Sequence, residues 1–99
     1  MNQGILTMVG NSQNIEAFGL GGMSDGSVIS AGIKCVYRIR NEGPEVIFVA
    51  PDATGGEPAF PIDPSNKDVV LTFSNPRLRV TCPTSDETCP TLVRYMVTH

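Results

Sequence analysis

Apolar and polar positions alternate with a period of two along much of this chain. In "IKCVYRIR" the residues Ile33, Cys35, Tyr37 and Ile39 fall on one face, and Lys34, Val36, Arg38 and Arg40 on the other. That is the pattern of a strand with one buried and one solvated side. "DVVLTFSN" sets Val69, Leu71 and Phe73 against Val70, Thr72 and Ser74, and "RLRVTC" sets Leu78, Val80 and Cys82 against Arg77, Arg79 and Thr81. "EVIFVAP" is apolar on both sides and predicts a central strand covered on each face. "TLVRYMVTH" predicts a last strand, and "GILTMVGN" and "NIEAF" one or two more near the start. Helical periodicity is nearly absent. Its best stretch, "NIEAFGLGG", is cut by Gly19, Gly21 and Gly22, each costly inside a helix. The prediction is an all-β chain: a single antiparallel β-sandwich of about six to eight short strands with almost no helix. Its expected core is Ile33, Tyr37, Ile39, Phe48, Leu71, Phe73, Leu78 and Val80.

Punctuation between the runs is equally specific. In "VYRIRNEGPEVIFVAP", Asn41 opens a turn, Gly43 readily takes the left-handed conformation that closes it, and Pro44, lacking an N–H, belongs at a bulge or strand edge. The turn predicts a hairpin that fixes the register between "YRIR" and "VIFV". The Pro-rich stretch "APDATGGEPAFPIDPSNKD" is too irregular for a helix. It predicts an ordered surface loop with Phe60 and Ile62 pinned to the body, while Pro58, Pro61 and Pro64 restrict its unfolded state. "GLGGMSDG" reads as a flexible turn, and no internal repeat is visible.

Composition narrows the function classes. At 99 residues the chain is expected to be one domain, 1–99, with 1–13 either an N-terminal arm or a first strand. A net charge of -3 and a pI near 4.9 argue against a nucleic-acid partner, whose phosphates demand a basic surface. No apolar run approaches the ~20 residues of a membrane helix, so no membrane partner is expected. Met1 opens the chain with no Lys or Arg before its first apolar run, which predicts a cytoplasmic product without a secretory leader.

Reactive groups are few. Cys82 and Cys89 bracket "PTSDET", and one reading of the pair is a disulfide across a hairpin tip. Six intervening residues are too many for a common structural zinc pair, with His99 as the remaining ligand type. Cys35, on the apolar face, reads as a small core residue. "DPSNKD", with Asp63, Ser65, Asn66 and Asp68, faintly resembles a calcium loop, yet Lys67 interrupts it and the closing Glu is missing; a turn is the better reading. One histidine, at the C-terminus, leaves no acid, base and nucleophile set to assemble. Neither an enzyme nor a bound cofactor is expected.

Taken together, "VYRIRNEGPEVIFVAPDATGG", "FPIDPSNKDVVLTF" and "RLRVTCPTSDETCPTLVRYMVT" resemble a recurring pattern in small bacteriophage virion proteins. The resemblance covers about three-quarters of the chain, Ser27 to Thr98, and rests on Arg38, Asn41, Gly43, Val46, Phe48, Val49, Pro61, Ile62 and Val70 to Thr72. The Cys82–Cys89 segment and the Pro-rich loop depart from it. It implies a virion protein made in the host cytoplasm, a capsid decoration or cement protein whose partner is the major capsid protein and which forms homo-oligomeric or lattice contacts. The competing implication is a tail- or cell-surface-associated binding module for a host protein or glycan, which the absence of Trp disfavours. On the capsid reading, Ile5, Leu6, Met8 and Val9 are expected in a docking arm that orders only against a neighbour.

Overall fold

The computed structural model describes residues 2–18, 25–51, 59–65 and 68–99. Its elements in chain order are β1 (Asn2–Met8), β2 (Ser12–Glu16), α1 (Asp25–Ala31), β3 (Cys35–Gly43), β4 (Ile47–Pro51), β5 (Phe60–Ile62), β6 (Val69–Phe73), β7 (Arg77–Thr81) and β8 (Thr91–Thr98). Two four-stranded antiparallel sheets, β1-β8-β3-β6 and β2-β7-β4-β5, pack face to face as a β-sandwich. The predicted fold class is therefore found. Pairing is nested: first strand with last, second with seventh, third with sixth, fourth with fifth. An eight-stranded sandwich wound from one long folded hairpin in this way is a jelly roll.

Among the described strands, only β4 and β5 are consecutive in one sheet, and every other successive pair is split between the two sheets. The hairpin expected between β3 and β4 is accordingly an arch from one sheet to the other. The reason is visible at Asn41. β3 already has β8 and β6 as neighbours, and it stays paired with β8 through a bulge at Glu42, where the register passes from Asn41↔Val93 to Gly43↔Leu92. The buried Asn41 amide then donates to the carbonyls of Glu45 (2.7 Å) and of Ile62 in the opposite sheet (2.8 Å), while its oxygen accepts from the Gly43 N–H (2.9 Å). Gly43 has φ +89°, which suits glycine as the turn chemistry predicts. Thr91, also buried, accepts from the Glu45 N–H at 3.1 Å, and the buried Ser85 accepts from Gly10 and donates to Cys82. These three buried polar residues lock one end of the sandwich.

The core follows the alternation. Tyr37, Ile39, Leu78 and Val80 are fully buried, as expected, beside Met8, Ile15, Ile47, Val49, Ile62, Val93 and Val97. Ile33, Leu71 and Phe73 pack against this cluster while partly exposed. Phe48 is the exception. It points outward from β4 between Thr81 and Pro61, because Ile47 and Val49 take the inner positions. Ile62 is buried and Phe60 half exposed in β5, while the rest of the predicted Pro-rich loop, with Pro58, falls largely on 52–58 and 66–67, outside the described residues.

One helix was not anticipated. α1 lies between β2 and β3 in the chain and contributes the fully buried Val28 to the core. It ends where the Ile33 N–H donates to the Val28 carbonyl (3.1 Å) around Gly32 at φ +68°, a Schellman closure. The flexible turn predicted at "GLGGMSDG" falls largely on 19–24, outside the described residues.

Candidate binding surface

Each sheet has an outer face, and the two differ in chemistry. On the second sheet it is mostly polar: Ser12 and Thr81 share a hydrogen bond (2.8 Å), Arg77 pairs with Glu16 (3.1 Å), and Asn14 stands opposite Arg79. On the first sheet the alternation that buries Val93 and Val97 turns Leu92, Arg94 and Met96 outward. β1 adds Ile5, β3 adds Arg38 and Arg40, and β6 adds Val70. Register assembles these into rows. Ile5 lies opposite Arg94, which lies opposite Arg40; Gln3 lies opposite Met96, then Arg38, then Val70. Among the described residues, four of the six exposed large hydrophobics are on this face: Ile5 (52%), Val70 (52%), Leu92 (41%) and Met96 (37%).

The charge pattern is costly in isolation. Arg40 and Arg94 stand directly opposite, and like charges in that position repel. Each is offset by an acid, Arg40 Nε reaching Asp68 at 2.9 Å and Arg94 Nε reaching Glu42 at 3.2 Å. Such exposed pairs contribute about 0–1 kcal/mol each. Arg38 has no ion-pair partner among the described residues. The three arginines and Ile5, Met96 and Asp68 line an open groove of about 600 Å³. On the inner side of the same sheet Tyr95 packs against the core and lies over Gly4 so closely that a Cβ there would sit 2.7 Å from the Tyr95 hydroxyl, so glycine is what admits the ring. An apolar floor with protruding guanidinium groups fits a protein surface carrying carboxylates, since Arg forks match carboxylate geometry.

The residues singled out from sequence are dispersed. Ile5, Leu6 and Met8 belong to β1, paired with β8 from Asn2↔Val97 to Met8↔Thr91, so this segment is the first strand of its own sandwich; Val9 follows it on the surface. Met8 is core, Leu6 half-buried and Ile5 outward. Cys82, Cys89 and Cys35 are free thiols. Cys82 is buried and donates to the Val46 carbonyl (3.3 Å), whereas Cys89 is exposed in a turn organised by Asp86. Burial pushes the Cys35 thiol pKa up. The Asp86 carboxylate is held below the ordinary range first by the Thr88 hydroxyl (2.6 Å), then by the Cys89 and Thr88 amides. Asp63 is likewise lowered, by the Ser65 amide and then its hydroxyl, which makes "DPS" a turn, as predicted. Asp68 serves Arg40 instead. Among the described residues no three His, Cys, Asp or Glu side chains converge as metal ligands, and the His99 ring stacks 4.2 Å from Phe18.

Alternation in "LVRYM" already placed Leu92, Arg94 and Met96 on one face. What sequence reasoning missed is that β8 lies beside β3, which joins Arg94 to Arg38 and Arg40 across more than fifty residues. No family model, curated protein or solved structure matches the chain.

Proposed function

We propose that this protein is a non-enzymatic bacteriophage structural protein that docks on the head surface and stabilises or decorates it, its partner being the major capsid protein. The observation that carries the reading is the outer face of the first sheet, where apolar side chains and three arginines share one open groove and Arg38 has no acid partner among the described residues. Exposed apolar groups clustered on one side mark interaction surfaces in soluble proteins. A sandwich fold alone names no function, so the weight rests on this face and on the resemblance of the sequence to small virion proteins. Each docked copy need bind only weakly, because copies repeated over a lattice multiply their contacts.

The test is co-sedimentation with purified heads of a phage whose genome encodes the chain. The protein should pellet with the particles, and Arg38→Glu should abolish pelleting without changing the melting temperature. Wild-type protein left in the supernatant, or an Arg38→Glu variant that still pellets, would overturn the proposal.

A further inference from the structure

The four sheet edges are not equally protected. Proteins blunt edges with charges, prolines, bulges or short strands, because unpaired backbone groups otherwise recruit another strand. β5 is three residues long and contains Pro61; β2 carries Glu16, paired with Arg77. β6 is uncharged but short, and the Asp68–Arg40 ion pair stands at its start. β1 has none of these devices. Its seven residues, "NQGILTM", hold no charge and no proline, and its register with β8 runs without a bulge. Along its far side the Gln13 amide takes one carbonyl, that of Thr7 (2.8 Å). Ile5 stands exposed just before that point.

We infer that β1 pairs antiparallel, about a two-fold axis, with β1 of a second copy of this chain, fusing two four-stranded sheets into one of eight. Charge selects this occupant. A strand without charged residues meets itself with no like-charge opposition, and the nearest cations, Arg94 and its counterpart, would stand roughly 14 Å apart, three strand spacings, beyond the ~8 Å screening length at physiological salt. The register with Ile5 on the axis lays the exposed Ile5 of each copy beside the partner's Ile5, so an apolar contact sits on the axis. An isologous contact also closes after two copies, unlike a β1-to-β6 contact, which would propagate. Contact through one strand is small, so the dimer is expected to dissociate in the micromolar range.

This goes beyond the proposed role and does not depend on it: dimerisation is read in the isolated protein, and Arg38→Glu, which tests head binding, leaves the β1 edge intact. Sedimentation velocity over a concentration series should show monomer and dimer in exchange, with β1 amides gaining hydrogen-exchange protection in the dimer. Ile5→Lys, and separately Gln3→Lys, should return the protein to monomer at unchanged melting temperature, while Val70→Lys on the β6 edge should leave the dimer. A monomer at every concentration, a dimer that survives both β1 variants, loss of the dimer in Val70→Lys, or species that grow beyond two copies would each overturn the inference.

Discussion

Replacing Asn41 by alanine should destabilise the fold more than any other polar substitution at the arch between β3 and β4. The side chain is buried and makes three hydrogen bonds, one of them reaching Ile62 across the sandwich. A typical hydrogen bond contributes a net ~1 kcal/mol, and a buried group stripped of its partner costs about 1–3 kcal/mol. The Gly43 N–H and the Glu45 carbonyl lie near enough to the surface to recruit water; the Ile62 carbonyl is more deeply placed. The expected loss is therefore about 3–4 kcal/mol, a large share of the ~5–15 kcal/mol typical of a domain. Equilibrium urea melts would measure it as a shift in midpoint at unchanged slope. Asn41→Asp sharpens the test. Its carboxylate keeps the bond from Gly43 but turns lone pairs toward two carbonyl oxygens, so its folded pKa should rise. An acid with a raised folded pKa destabilises the fold progressively as pH climbs from the unfolded value of ~3.9 to the folded one. Relative to wild type in the same buffer, the variant should recover at acid pH and fall below Asn41→Ala at neutral pH. A loss under ~1 kcal/mol for the alanine variant would refute the claim that this amide holds the two sheets together.

Three further outcomes are expected. Phe48→Ala, on the outer face, should cost about 1–2 kcal/mol and Ile47→Ala, one position away but inward, about 2–5 kcal/mol in the same melts; the reverse order would mean the face assignment of β4 is inverted. Cys89 should react with a thiol reagent in the native protein, while Cys35 and Cys82 react only on unfolding, as mass spectrometry of labelled peptides would show; protection of all three would indicate a Cys82–Cys89 bond. The Asp86 turn should be fully formed above the ordinary carboxylate range and loosen as pH falls through the lowered folded pKa, the direction for a depressed acid. An NMR titration in which the Thr88 and Cys89 amides stay unmoved down to the acid limit would contradict that reading.

Local rules carried the strands and the faces. "IKCVYRIR" named the inner row of β3 from Cys35 to Ile39, and "RLRVTC" the inner row of β7 and Cys82, because period two is a property of the extended backbone itself. Gly43 and Asn41 were recognisable as turn residues for the same reason. Whether a turn leads to the adjacent strand or to the opposite sheet is set by what its polar side chain can reach, and Ile62 is twenty-one residues from Asn41. Phe48 failed for a related reason: a run apolar on both sides does not say which side is inside. α1 left one local sign, the glycine in "SVISAGI" that closes it, too little to outweigh the glycines before it. The outer surface was half legible. Arg38 and Arg40 were outward from alternation alone, but their meeting with Arg94 depends on a pairing no local pattern encodes.

Nested pairing has a consequence for how the chain is made. Each of the first four strands finds its nested partner in the second half, so β1 through β4 leave the ribosome with those partners unbuilt. At roughly 5–20 residues per second, Met8 waits on the order of 4–17 s before Thr91 exists to pair with it. During that interval its uncharged strand is available to any other nascent or unfolded copy. Loop-closure entropy then favours β4 with β5 first and the outer pairs afterwards, with β1 and β8 last. Yield in a cell should therefore respond to translation speed and to chaperone supply more than the stability of the finished sandwich would indicate.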